Sequence, residues 1–172
     1  MSERHLPKEV FWVLLGAMTM AAGCAGYRLG SSLPPGVRTV RVPIFMNNTG
    51  EPQIENETTR AVIREIQNEG SLRVVEAGDA DAVLKVTLVH CGVEPVRYER
   101  DNPKAAAEYR LRIQADMALI RSSTSETILA RRTEGKATFL ATADPQTAKL
   151  AVLPQAAADL ARTIVGNLVD YW

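Results

Sequence analysis

The alternation of apolar and polar side chains between Ala107 and Ile120, the clearest in this 172-residue sequence, is the feature that most restricts its fold. A repeat of two places successive side chains on opposite sides of an extended chain, so it predicts a β-strand with one buried face. The apolar side consists of Tyr109, Leu111, Ile113, Ala115, Met117 and Leu119. Such a strand needs neighbouring strands and a covering layer, because its apolar face must be removed from water.

Four other stretches have the composition of strands. They cover residues 37–45, 72–76, 82–98 and 127–140, and the third carries Gly92 and Pro95 as expected interruptions or bulges. Pro43 cannot donate a hydrogen bond, so it predicts an edge position or the end of regular pairing in the first strand. The polar run from Arg121 to Glu126 predicts a hairpin loop before the last strand.

Two stretches have apolar residues at helical spacing. One predicts a helix over residues 53–69 that ends at Gly70. The other runs from Leu150 to Trp172, follows a linker over residues 141–149, and has Pro154 in its first turn. Each helix has a single apolar stripe, so we expect an α+β fold, a two-layer sandwich with both helices packed on one face of the sheet.

The N-terminal part of the chain predicts export. Its apolar run from Val10 to Ala22 has 13 residues, fewer than the roughly 20 that a membrane-spanning helix needs. The following Ala21-Ala22-Gly23-Cys24 resembles the lipobox of bacterial lipoproteins, in which the cysteine becomes the acylated first residue. Ala21 stands where lipoboxes usually carry Leu, and an ordinary secretory signal with an incidental Cys24 is the alternative. The predicted divisions are a signal peptide over residues 1–23, a tether over 24–36 and a folded domain over 37–172.

Composition argues against several classes of function. Lys plus Arg and Asp plus Glu both number 20, so no global field would attract nucleic acid. The sequence contains no GxGxxG, Walker A, HExxH or CxxC motif. His90 and Cys91 are adjacent on a predicted strand and would point to opposite faces, which suits a buried thiol better than a metal site. We therefore expect neither an enzyme nor a bound metal or cofactor.

A cluster of basic residues is the strongest candidate for ligand binding. Arg97, Arg100 and Lys104 surround the turn between the two long strands, and Arg110 and Arg112 share the polar face of the second. Guanidinium groups bind phosphate bidentately, so such a face suits an anionic lipid headgroup. The alternative is a solvated sheet face on which Glu99, Asp101 and Glu108 act as counter-charges.

Several segments, in this order and spacing, resemble the LptE family of lipopolysaccharide-assembly lipoproteins. They are Cys24-Ala-Gly-Tyr-Arg-Leu29, Leu33-Pro-Pro-Gly-Val-Arg-Thr-Val40, Val42-Pro-Ile-Phe45, Glu57-Thr-Thr-Arg-Ala-Val-Ile-Arg-Glu65, Leu72-Arg-Val-Val75, Ala80-Asp-Ala-Val-Leu84 and Ala158-Asp-Leu-Ala-Arg162. The resemblance covers nearly all of the chain after Cys24.

This resemblance implies two helices on one face of a four-stranded mixed sheet. It also implies a lipid-anchored protein on the periplasmic side of the outer membrane, and Ala25 after the cysteine agrees with release to that membrane. The family acts as a plug and assembly partner of the LptD barrel and binds lipopolysaccharide (LPS). It gives no motif that assigns the LPS contacts, so Arg97, Arg100, Lys104, Arg110 and Arg112 rest on the charge argument alone.

Two other functions remain open at this point. The stretch from Val37 to Phe45 also resembles the first strand of lipoprotein activators of peptidoglycan synthases, such as LpoB. A structural envelope lipoprotein without a transport role is the third possibility. Recovery of the protein with a large β-barrel favours the first function, whereas recovery with a penicillin-binding protein favours the second.

The lipoprotein prediction is tested by Cys24→Ala. We expect this variant to fold but to remain an unanchored or uncleaved precursor. A single acyl chain binds a membrane only marginally, whereas two or more hold a protein there stably. Cell fractionation and labelling with a radioactive fatty acid measure both effects. A variant that still fractionates with the outer membrane and keeps the mobility of the wild type would contradict acylation at Cys24.

Overall fold

The computed structural model describes residues 33–76, 78, 80–98, 100, 106–141 and 145–170. The predicted signal peptide, Cys24 and Lys104 lie outside these residues. The described elements are β1 (Thr39–Arg41), β2 (Met46–Asn47), α1 (Ile54–Glu69), β3 (Arg73–Val74), β4 (Ala82–Tyr98), β5 (Ala106–Arg121), β6 (Thr127–Leu140) and α2 (Pro145–Val169).

All six described strands belong to one mixed sheet. Its order is β3-β1-β4-β5-β6, with β2 also paired to β4. The pairs of β1 with β3, β1 with β4 and β2 with β4 are parallel, whereas β4, β5 and β6 form an antiparallel meander. The α+β class with two helices and a mixed sheet is therefore confirmed.

The strand count of four is wrong. The stretch predicted as one strand over residues 37–45 pairs only at β1, because residues 42–45 do not pair and Pro43 has no N–H to donate. Strand β2 begins just after this stretch, and β1 and β2 pair with successive segments of the same edge of β4. The short β3 adds one more strand at the outer side of β1.

One face of the meander forms the core, as the alternation predicts. On β5 the residues Leu111, Ile113, Ala115, Met117 and Leu119 are buried, and on β4 their partners include Leu84, Val86 and Leu88. Both helices add their apolar stripes to the same hydrophobic cluster. Full burial of each large aliphatic side chain contributes about 1.5–3 kcal/mol, so this shared face is the main source of stability. Tyr109, the first odd residue of the pattern, is only half-buried.

A register shift between Leu88 and His90 exchanges the faces of β4. After it, Cys91 pairs with Ile113 on the core side and His90 pairs with Gln114 on the other, which confirms their opposite orientation. Cys91 is half-buried against the core, and this burial raises the pKa of its thiol. Gly92 stays in register, and the His90 ring lies over it, since a Cβ at this position would be 2.6 Å from Nε2 of the imidazole.

Helix α1 has the predicted boundaries to within one residue. It ends at Gly70, whose φ of 82° is left-handed and whose N–H donates to the Ile66 carbonyl at 3.1 Å. The buried Thr59 ties the helix to the segment between β1 and β2, because its hydroxyl accepts the N–H of Phe45 at 3.1 Å. This contact satisfies a backbone donor that has no strand partner.

Helix α2 begins five residues earlier than predicted. Pro145 occupies its first position, where the missing N–H is harmless, so Pro154 lies inside the helix instead of in its first turn. An internal proline removes one helical hydrogen bond, and packing of the following turns against the sheet offsets this loss. The packed residues are Ala156, Ala157, Leu160, Ala161, Ile164 and Leu168.

The crossing of α2 over β6 depends on Gly135. A Cβ at this position would lie well inside van der Waals contact of the Leu160 nitrogen and the Ala156 carbonyl oxygen, both of which are backbone atoms. Close by, the Asp159 carboxylate accepts the N–H of Lys136 at 2.9 Å. The helix therefore contacts the outer strand of the sheet through close packing and through a hydrogen bond from a strand N–H to a helix side chain.

We predict that Gly135→Ala lowers the free energy of unfolding by about 1–3 kcal/mol, the usual range for overpacking, because the backbone of α2 must move. Gly166→Ala is the matched control, since no neighbouring atom lies within 4 Å of a Cβ there. Alanine inside a helix is favoured over glycine by roughly 0.5–1 kcal/mol, so the control should be neutral or stabilising. Urea unfolding followed by circular dichroism measures both. Equal effects of the two substitutions would contradict the close crossing.

Candidate functional site

Arg110 and Arg112 lie on the face of the sheet opposite the core. They alternate along β5 with the fully buried Leu111, so their side chains point away from the described helices. We call this side the open face; it is formed by the residues of β4, β5 and β6 that face away from α1 and α2. Arg97 is paired with Glu108 near the end of β4, and Arg100 is exposed between β4 and β5.

The strand arginines of the predicted cluster are paired with carboxylates. Arg112 Nη2 donates to Glu94 Oε1 at 2.7 Å, and Arg110 Nη1 lies 3.8 Å from the same oxygen. Arg97 Nε is 3.4 Å from Glu108 Oε2. Of the three expected counter-charges, Glu108 is thus a partner, while Glu99 and Asp101 lie outside the described residues.

The ion pairs continue across β6 as a ladder of alternating charge. Arg112 Nε lies 3.9 Å from Glu134 Oε2 and has no hydrogen bond, and Glu134 also pairs with Lys136. Arg132 donates to both oxygens of Asp116, at 2.7 and 2.9 Å. The hydrogen bond from Lys136 holds the pKa of Glu134 below the ordinary carboxyl range. The hydrogen bonds from Arg132 do the same for the pKa of Asp116. The part of the open face that carries these ion pairs is therefore charged but close to neutral.

The partners Glu94 and Glu134 were not identified from the sequence. Glu94 is brought to the arginines by its pairing opposite Arg110, and Glu134 by its pairing opposite Gln114 on the other side of β5. Each neighbour is set by the register between strands, and the position of Glu94 depends in addition on the bulge in β4. Alternation along a single strand gives only the face on which a side chain lies.

An apolar hollow of about 290 Å³ lies beside the N-terminal turns of α2. Val93, Tyr109 and Phe139 line it, and the two aromatic rings are stacked with centroids 5.7 Å apart. Lys149 closes one side and pairs with Glu51; their side chains are only 17% and 20% exposed, the lowest values among the ion pairs of the described residues. This pair ties α2 to the loop before α1.

Within the described residues, no group of three or more His, Cys, Asp or Glu is placed to hold a metal ion. None of the helices in the same residues combines the length and hydropathy of a transmembrane span.

Comparison with known families identifies the chain. The family model described as LptE, lipopolysaccharide-assembly, matches residues 37–168, which include every described strand and nearly all of both helices. The chain therefore belongs to the LptE family of lipopolysaccharide-assembly proteins. No curated protein sequence matches it significantly.

Solved structures show the same fold at low sequence identity. A putative lipoprotein from Caulobacter crescentus is 16% identical, with a TM-score of 0.53 over 77% of this chain and 89% of the other. A protein from Xanthomonas campestris is 14% identical, with a TM-score of 0.56 over 80% and 87%. A minor lipoprotein from Acinetobacter baumannii is 12% identical, with a TM-score of 0.54 over 78% and 94%.

Proposed function

We propose that this chain is an outer-membrane lipoprotein, anchored on the periplasmic side through acylated Cys24, that acts as plug and assembly partner of an LptD-like barrel and binds LPS. The family match over residues 37–168 carries the proposal, because it spans the folded domain from β1 to the end of α2. The family is non-catalytic, and membership is consistent with a protein that works by binding.

The surface of the domain is compatible with a place inside a barrel. The interior of outer-membrane barrels is polar, so a plug must offer groups that exchange hydrogen bonds with polar walls. The open face offers them as a nearly neutral ladder of Glu94, Arg112, Glu134 and Lys136. Alternating signs avoid the repulsion that a face of one charge would meet at a wall of the same charge.

A photoreactive amino acid at Gln114 tests the barrel partnership in intact cells of the native host. Gln114 lies on the open face, opposite His90 and Glu134, and we expect its crosslinked product to contain a large outer-membrane β-barrel. The same amino acid at the neighbouring Met117 is the control, because this side chain is buried and should reach no partner. Crosslinking to a penicillin-binding protein would instead support a peptidoglycan-synthase activator, and products that are the same from both positions would contradict the proposed contact.

For LPS we propose Arg97, Arg100, Lys104, Arg110 and Arg112 as the phosphate-binding group. The carboxylate of Glu94 already occupies Arg110 and Arg112, so a phosphate must displace it. Glu94→Gln should therefore strengthen LPS binding, whereas Arg110→Gln combined with Arg112→Gln should weaken it about tenfold or more, since the loss of even one charged hydrogen bond costs about 1.5–3 kcal/mol.

Purified chain in detergent, retained on immobilised LPS, measures these changes. Arg64→Gln combined with Arg162→Gln removes two arginines that pair with Glu57 and Asp159 on the helices, and serves as the control. If the control weakens LPS binding as much as the open-face pair does, the effect comes from net charge alone. No response to Glu94→Gln and to the open-face pair would refute the assignment.

A further inference from the structure

A second hollow, of about 390 Å³, opens at the end of the sheet where β4 begins. Three cationic side chains line it, from Arg41, Lys85 and Arg121, together with the hydroxyl-bearing Ser122 and Ser125. Arg41 lies opposite Val83 in the parallel pair of β1 and β4, so Lys85, two residues further along, is its diagonal neighbour on the open face. Arg121, the last residue of β5, closes the hollow.

These cations differ from those of the ladder because no described carboxylate pairs with them. Within the described part of the chain, the side chains of Arg41 and Lys85 have neither a hydrogen bond nor an ion pair, and Arg121 donates only to the carbonyl of Pro35, at 3.2 Å. Like charges gathered around one hollow repel each other, and an anion placed between them relieves the repulsion. Among the described residues, no carboxylate pairs with the cations of this hollow, and the hollow therefore favours an anion.

Asp81 forms no ion pair with the described cations of this cluster. It lines the adjoining hollow and directs Oδ2 at the start of β1, where it accepts the N–H groups of Arg38 and Thr39 at 2.9 and 2.8 Å. The Thr39 hydroxyl donates to the same oxygen at 2.8 Å. These hydrogen bonds lower the pKa of Asp81 and fix the start of the strand.

The hydroxyl side of the hollow is fixed before any ligand arrives. In the turn between β5 and β6, the Arg121 N–H donates to the Glu126 carbonyl at 2.8 Å and the Ser125 N–H to the Arg121 carbonyl at 2.9 Å. Ser122 is tied to β4 by a 2.9 Å bond from its N–H to the Asp81 carbonyl. The turn backbone that carries the two hydroxyls therefore loses little conformational entropy on binding.

We propose that this hollow binds the anionic phosphate headgroup of a phospholipid at the membrane surface and thereby orients the domain on the membrane. Two guanidinium groups and one ammonium match a phosphate, and a hollow of this size lies within the usual range for ligands. Val83 and Ile120 complete the lining with apolar surface that suits the start of an acyl chain.

The path of the chain favours a lipid over a soluble phosphate, and this step rests on the proposed anchoring at Cys24. The described chain begins at Leu33, and Pro35 contacts Arg121 at the hollow. Cys24 lies nine residues before Leu33, which at full extension span about 30 Å. Along β4, Gly92, the partner of Arg112, lies seven residues beyond Lys85, or about 23 Å, so the hollow is closer to the first described residues of the chain than Arg110 and Arg112 are.

Calorimetric titration of the full chain in nonionic detergent micelles tests the site. The probes are dihexanoylphosphatidylglycerol, dihexanoylphosphatidylcholine and inorganic phosphate. We expect the phosphatidylglycerol to bind and the zwitterionic lipid not to bind. Arg41→Gln combined with Lys85→Gln should weaken binding about tenfold or more, because two charged contacts are lost. Both side chains are exposed, so the fold should persist, and thermal unfolding checks this.

Arg132→Gln combined with Lys136→Gln is the matched control. It removes the same two residue types from the open face, but from side chains that pair with Asp116 and Glu134. Unchanged affinity in this control supports a local site, and equal weakening in both variants would show that only the general field matters. Displacement of the lipid by inorganic phosphate at equal concentration would assign a soluble phosphate instead, and absence of any binding would refute the site.

Arg121→Gln is a further variant, in which the cation that contacts Pro35 is removed. It should weaken phosphatidylglycerol binding while the other two cations remain, and no change would exclude Arg121 from the site. The titration contains neither barrel nor LPS and does not need acylation. Its failure would leave the proposed barrel partnership intact, and failure of the crosslinking experiment would leave this site intact.

Discussion

The register between β4 and β5 determines most of what this domain presents to its surroundings. From Ala82 opposite Arg121 to Tyr98 opposite Ala106, the two strands pair along almost their whole length. The first of its register shifts, between Leu88 and His90, turns Cys91 toward the core and places Glu94 beside Arg110 and Arg112. A slip by one residue would bury the charged ladder and expose the core, so the register is held by the hydrophobic effect itself.

Periodicity in the sequence was enough to predict the elements that carry the core. The alternation on β5 gave the buried and open faces of the strand, and the apolar stripe of α1 gave a helix ending at Gly70. Both signals are local, because each depends only on the spacing of residues within one element. The α+β class followed from counting apolar faces that must be covered.

Contacts between distant segments were not predictable in this way. The early start of α2 leaves Pro154 inside a helix, and nothing near that proline shows that packing on the sheet would offset its cost. The early end of the first strand and the separate β2 that follows it depend on how β4 passes the segment around Pro43. The cluster of basic residues was found by type, but its carboxylate partners come from other strands, so its charge balance became visible only with the register.

The two ends of the sheet differ in the state of their cations. Near the β4–β5 hairpin the arginines are shared with Glu94, Glu108 and Glu134, and any incoming anion competes with carboxylates already in place. At the start of β4, Arg41 and Lys85 have no such competitor among the described residues. The number of basic residues therefore does not show which surface is more open to an anion. The positions of the neighbouring carboxylates do.

The bond from the Lys136 N–H to Asp159 has a consequence for self-association of the domain. Strand β6 is the outermost long strand, and an unpaired strand edge is a template for aggregation. At the middle of this edge the donor is occupied by a carboxylate from α2, which interrupts the row of groups that a second chain would need. Helix α2 thus protects the edge of the sheet as well as its core face, and the folded domain is less able to recruit copies of itself.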